Sequence, residues 1–276
     1  MAQDGTLIAL KLLLVPALLA LVTLAGRRWG QRVAGWLGSF PIVAGPILLI
    51  LTLENGVAFG VAAAERAMAG VAATTGFFVL YARLAPRLSW PVTAAVATAA
   101  WLAFAASLSL LPATLAAATA VALVALVLAP RAMGAAHAAA TPHVAPPAAG
   151  PAMPPSRGEL PARMLAGAAL VFVTSGLGAR FGPEASGYAA LFPVVGGTAA
   201  VFNHARQGSE TAVNFLRGTN RGMWSVAVFC GVLSLALTRW PVAMAFGAAL
   251  AATVATHAAT LPRTRTRTRT RARAAD

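Results

Sequence analysis

Arg206, Glu210, Asn214, Arg217 and Arg221 follow one another at steps of four, four, three and four residues, a spacing that puts all five on one face of an α-helix. Asn203 and His204 stand just before them, and Ser209–Glu210 has the form of a helix start. A stripe of guanidinium, carboxylate and amide groups is suited to recognising an anionic or zwitterionic solute. It suits equally an interfacial helix whose arginines face lipid headgroups. Bond-making chemistry has less to stand on. The chain has seven Asp and Glu residues, mostly between apolar blocks, and no HExxH, GxSxG or Walker-type motif. No catalytic residue and no enzymatic activity is expected. A single cysteine, Cys230, excludes an internal disulfide or a cysteine metal cluster. His137 and His143 have no flanking ligands, so neither a metal nor another cofactor is expected.

The elements that must position these groups follow from composition. Of 276 residues, 59% are hydrophobic and 10% charged, with a mean hydropathy of +0.75. Soluble domains carry about 25% charged residues, so this chain needs the bilayer as its solvent. The net charge of +14 does not indicate nucleic acid, because the arginines sit between apolar blocks and not on one polar surface. A span needs about 20 apolar residues, and nine blocks qualify: 6–25, 34–53, 67–84, 91–111, 113–129, 163–180, 187–205, 221–238 and 241–259. Trp90 and Trp240 open two of them at headgroup level. Lys11 and His257 read as groups near the interface. Arginines concentrate in alternate loops, which places the N-terminus outside and the C-terminus in the cytoplasm. The first block is too long for the core of a signal peptide and lacks a basic leader.

The chain also repeats itself. GWLGSFPIVAGP at 35–46 returns as GYAALFPVVGGT at 187–198, with Gly35, Phe40, Pro41, Val43 and Gly45 matched by Gly187, Phe192, Pro193, Val195 and Gly197 at an offset of 152. Gly56 and Gly70 pair with Gly208 and Gly222, and Trp-Pro-Val at 90–92 returns at 240–242. The expected fold is an all-α polytopic membrane protein of nine spans. Residues 1–111 form a first four-span repeat, 112–130 a connecting span, 131–162 an Ala/Pro-rich cytoplasmic linker, 163–260 a second four-span repeat and 261–276 an Arg/Thr tail. An odd number of spans before the second copy inverts it, a plan that recurs in transporters with a site at the membrane midplane.

Pro41 and Pro193 then fall inside spans, followed by Gly45–Pro46 and Gly196–Gly197. Proline removes a backbone donor and glycine permits close approach, so both spans are expected to kink or break. The candidate substrate pathway comprises these residues with Glu54, Asn55, Asn203, His204 and the stripe from Arg206 to Arg221. The alternative is that Pro and Gly only shape helix packing. After each Phe-Pro span a short polar helix is expected; in the first copy it holds Glu54, Asn55, Glu65 and Arg66.

The stretch ALFPVVGGTAAVFNHARQGSETAVNFLRGTNRGMWSVAVF, 190–229, resembles the GlpM family of small bacterial inner-membrane proteins. Phe192, Pro193, His204, Ser209, Glu210, Leu216, Arg217, Thr219, Met223, Trp224 and Ser225 carry the resemblance. The first copy keeps Phe40 and Pro41 but lacks the His and the Met-Trp-Ser. The resemblance implies a bacterial inner membrane and a tie to envelope polysaccharide production. Transport of a small polar or lipid-linked solute and an accessory, non-catalytic role in envelope assembly are both open. The bilayer is the expected partner, with anionic lipids at the six arginines of the tail. A second copy of the chain or an envelope-assembly protein are the further partners this reading allows.

Overall fold

The computed structural model describes residues 20–138 except 42, residues 182–261, and isolated positions at 17, 161, 162, 164, 165 and 169. Most of the first and sixth expected spans lie outside the described residues, as do Lys11, His143 and residues 262–276 of the tail. The described chain is helical: α1 over 20–29, α2 Gln31–Gly38, α3 Ala44–Asn55, α4 Val57–Leu84, α5 Trp90–Ser109, α6 Leu115–Ala138, α7 Gly182–Ala190, α8 Val194–Gln207, α9 Ser209–Leu237 and α10 Val242–Ala259.

Among the described residues, six segments are long and apolar enough to cross a membrane: α4, α5, α6, α7 with α8 taken together, α9 and α10. Helices α4 and α9 are largely buried and pack against each other, while α5, α6 and α10 bury under a third of their apolar windows. Leu102, Phe104, Val124, Leu128 and Val254 on these outer helices are exposed, as residues facing lipid must be.

Glycine sets the corners. Gly56 joins α3 to α4 with φ +90 and ψ 168, and Gly208 joins α8 to α9 with φ +85 and ψ 170. A side chain is strained at such angles. Gly30 and Gly182 have φ +88 and +84, so the four positive-φ glycines among the described residues fall into two pairs 152 residues apart.

The two halves touch by exchanging partners. Helix α2 packs on α9, and α7 packs on α4. A methyl group on Gly35 would fall on the Phe215 carbonyl, 2.8 Å from the Thr219 nitrogen; on Gly187 it would fall on the Ala63 carbonyl, 2.9 Å from the Ala67 nitrogen. Each atom of the second contact belongs to the residue 152 away from its counterpart in the first, with the halves swapped. Gly222 abuts Ser39 and Trp36, and Gly70 abuts Leu191 and Tyr188, in the same relation. Backbones approach this closely only through residues without a side chain. Close approach was expected at Gly45 and Gly197. There a methyl would come no closer than 3.6 Å to the Phe229 ring at Gly45 and 3.4 Å to the Phe77 ring at Gly197, so these glycines are not the points of tightest contact.

Three further expectations change. The polar segments are not separate short helices: Glu54 and Asn55 close α3, while Glu65, Arg66 and the residues from Glu210 to Arg221 lie within α4 and α9, which continue unbroken to Leu84 and Leu237. Gly208 ends α8 after Gln207, so Arg206 belongs to a different helix from Glu210, Asn214, Arg217 and Arg221. The linker begins later than residue 131, because α6 runs through Pro130 to Ala138. Proline costs that helix one hydrogen bond. Arg83 and Arg217 meet the carbonyls of Ala132 (3.1 Å) and Met133 (3.2 Å) in the turn that follows it.

Candidate functional site

Each Phe-Pro pair lies in a break between two helices. After Gly38 the chain turns, the Ser39 hydroxyl donates to the Trp36 carbonyl (2.6 Å), and α3 begins at Ala44 beyond Pro41. In the second half Leu191 and Phe192 donate to the carbonyls of Tyr188 (2.9 Å) and Ala189 (3.1 Å), and Pro193 caps the start of α8. Proline supplies no N–H to continue the preceding helix and fits at the opening of the next. Thr74 of α4 donates to the Leu191 carbonyl and accepts from Trp101 Nε1 at 3.2 Å. The freed backbone acceptor is thus satisfied inside the protein, as a break in a membrane requires.

The two breaks meet. Phe40, Pro41, Phe192 and Pro193 line a single cavity of about 70 Å³, together with the openings of α3 and α8 and with Thr74, Phe78, Thr219, Met223 and Val226. Among the described residues its polar side chains are the hydroxyls of Ser39, Thr74 and Thr219, and no charged side chain lines it. The positive ends of the α3 and α8 dipoles lie at its wall, so it favours an electron-rich polar group. Phe192 and Pro193 also border a second, apolar cavity of about 390 Å³ between α5 and α8, lined by Phe77, Ala94, Thr98, Gly197 and Val201 among others.

Among the residues read from the sequence, Pro41, Pro193 and Gly196 reach the first cavity, and Gly197 with Pro193 reaches the second. Pro46 lies half-buried in the first turn of α3, and Gly45 is covered by the Phe229 ring. Asn203 is buried and donates to Gln31 Oε1 at 3.1 Å; His204 meets the Tyr81 hydroxyl at 3.3 Å. Glu54 and Asn55 are exposed at the end of α3, and Arg206 is exposed at the end of α8. Glu210 and Arg221 are exposed on α9, whereas Asn214 and Arg217 are half-buried there. The stripe therefore stands apart from the cavity.

Two polar clusters escape a sequence reading. His257 does not snorkel: in the last turn of α10 it is buried, stacked on Trp36 at a centroid distance of 4.0 Å, edge-on to Phe40, and 2.9 Å from the Ser225 hydroxyl. Trp36 Nε1 in turn donates to Thr260 at 3.2 Å. Arg66, expected in a polar interfacial segment, is buried inside α4 and paired with Glu184 at 2.8 Å. Neither carries a sequence signal beyond a lone charge or imidazole in an apolar block. Among the described residues no group of three or more His, Cys, Asp or Glu side chains could hold a metal.

Six segments of this length and apolarity among the described residues define a multi-pass membrane protein in contact with the bilayer. Comparison with known protein families, curated proteins and solved structures finds no match to the chain.

Proposed function

We propose that the chain is a transporter or translocator of a small polar or lipid-linked solute, built from two four-span copies of inverted topology joined by a connecting span. The observation that supports this most is the cavity shared by both Phe-Pro breaks. Broken helices facing each other across a repeat axis are where secondary transporters place their substrates. The exchange of partners at an offset of 152 supports a pseudo-two-fold axis through this point. The adjoining apolar cavity supports the lipid-linked variant, since an acyl or prenyl tail could lie there while the polar head meets the hydroxyls. The resemblance of residues 190–229 to GlpM proteins supports a bacterial inner membrane, and the arginine-bearing loops support an N-terminus outside and a tail inside. No covalent chemistry is assigned to the site.

Thiol accessibility tests the reading. The native Cys230 is fully buried and is replaced by alanine. Ser39→Cys and Thr219→Cys should then react with a small membrane-impermeant methanethiosulfonate in intact cells or inverted vesicles, while Leu126→Cys, which is 0% exposed, should not. Failure of both cavity positions to react from either side would overturn the pathway. The chain would then be better read as an accessory protein of envelope polysaccharide or lipid assembly.

A further inference from the structure

We propose that Arg66 forms an anion-binding site that the chain's own Glu184 fills in this structure, and that a small carboxylate- or phosphate-bearing ligand takes Glu184's place. A guanidinium inside a membrane helix is costly unless paired and hydrogen-bonded, and such groups mark functional sites. The Arg66 side chain is 7% exposed, yet its partner Glu184 is 53% exposed. The buried cation is therefore held by a carboxylate that sits at the open side, where a solute carboxylate or phosphate can compete for it.

The donors are not used up. One terminal nitrogen of Arg66 meets Glu184 Oε1 and the other meets the Leu111 carbonyl at 3.3 Å, but Nε has no partner. Tyr188 lies one turn beyond Glu184 on α7, and its buried hydroxyl stands beside the guanidinium. A buried donor without an acceptor is rare, and a guanidinium N–H left over next to the one that holds Glu184 suits an oxyanion approached side-on. Glu65 does not fill the role, since the Ser234 hydroxyl engages it at 3.3 Å. The cavity on the far side of Arg66, against Leu111 and Pro112, is about 10 Å³, close to the least space that holds one water. The ligand must therefore come from the Glu184 side. The place related by 152 residues has Gly218 against the Arg32 backbone, so the charged site is confined to one half. The inference does not rest on transport and holds for an accessory protein as well.

The test uses the full-length protein in nanodiscs of zwitterionic lipid. Inorganic phosphate and acetate are titrated against chloride at matched ionic strength, and separate nanodiscs contain phosphatidylglycerol. Glu184→Gln removes the internal competitor and should raise anion affinity at least about tenfold, the worth of one charge-assisted hydrogen bond. Arg66→Met in the same background should lose that gain. A gain with phosphate or acetate assigns a soluble anion; a gain only with phosphatidylglycerol assigns a lipid headgroup. No gain in any arm, or a gain that survives Arg66→Met, overturns the site. If Glu184→Gln does not accumulate, wild type and Tyr188→Phe carry the test, with weaker phosphate binding expected in Tyr188→Phe and equal binding counting against the proposal.

Discussion

Gly35→Leu or Gly187→Leu is expected to abolish accumulation of folded protein, while Gly45→Ala leaves it close to wild type. At Gly35 the first added carbon meets the Phe215 carbonyl, and at Gly187 it meets the Ala63 carbonyl. Backbone cannot rotate aside as a side chain can, so α2 would have to leave α9, or α7 leave α4. Overpacking costs about 1–3 kcal/mol where side chains can adjust, and here the contacts that join the two halves are lost as well. At Gly45 the same carbon meets only the Phe229 ring at 3.6 Å, an ordinary contact. Fluorescence-detected size exclusion of tagged variants in mild detergent measures the difference. Monodisperse Gly35→Leu and Gly187→Leu proteins melting like wild type would contradict it.

Trp36→Ala is expected to destabilise the fold by roughly 3–5 kcal/mol, the range for removing a large buried aromatic side chain. The indole stacks on His257 and donates to Thr260. Its loss leaves the His257 ring without its covering face, at a place where the Ser225 hydroxyl is the imidazole's hydrogen-bond partner and Nε2 has none. Trp36→Phe keeps a stacked ring and should recover most of the loss. Thermal melts of the three purified proteins decide it; a Trp36→Ala protein that melts with wild type would remove Trp36 from the core of the fold.

The parts legible in the sequence are those that repeat along the chain. Phe40–Pro41 and Phe192–Pro193 marked both breaks, because proline cannot continue a helix whatever surrounds it. Gly56 and Gly208 were visible as a matched pair, though their role as corners emerges only from their left-handed φ. The exchange of partners was not legible. Gly35 and Gly187 show that two positions are equivalent, but not that each rests on the other copy's long helix. Arg66 and Glu184 are 118 residues apart, and nothing in either neighbourhood names the other. Arg66 read as part of a polar segment ahead of the span expected at 67–84, and only the course of α4 puts it inside. His257 hid its partners in the same way: one imidazole near the end of an apolar block gives no sign that Trp36 and Phe40 enclose it. Arg217 read as a free charge at a membrane surface, whereas it ties α9 to α6 through the Met133 carbonyl.

The central claim is that the halves interlock by exchanged contacts, so that both Phe-Pro breaks face one cavity. Engineered disulfides test it most directly, in a chain whose single cysteine is replaced by alanine. A β-carbon on Gly70 would lie 3.0 Å from that of Leu191, and one on Gly222 would lie 2.9 Å from that of Ser39. Both are a small shift from the separation of about 3.5–4.5 Å in disulfides. The pairs Gly70→Cys with Leu191→Cys and Gly222→Cys with Ser39→Cys should each cross-link rapidly in membranes under mild oxidation. The mismatched pairs, Gly70→Cys with Ser39→Cys and Gly222→Cys with Leu191→Cys, should not. Cross-linking of the mismatched pairs at equal rates, or failure of both matched pairs, would contradict the interlocked arrangement on which the site depends.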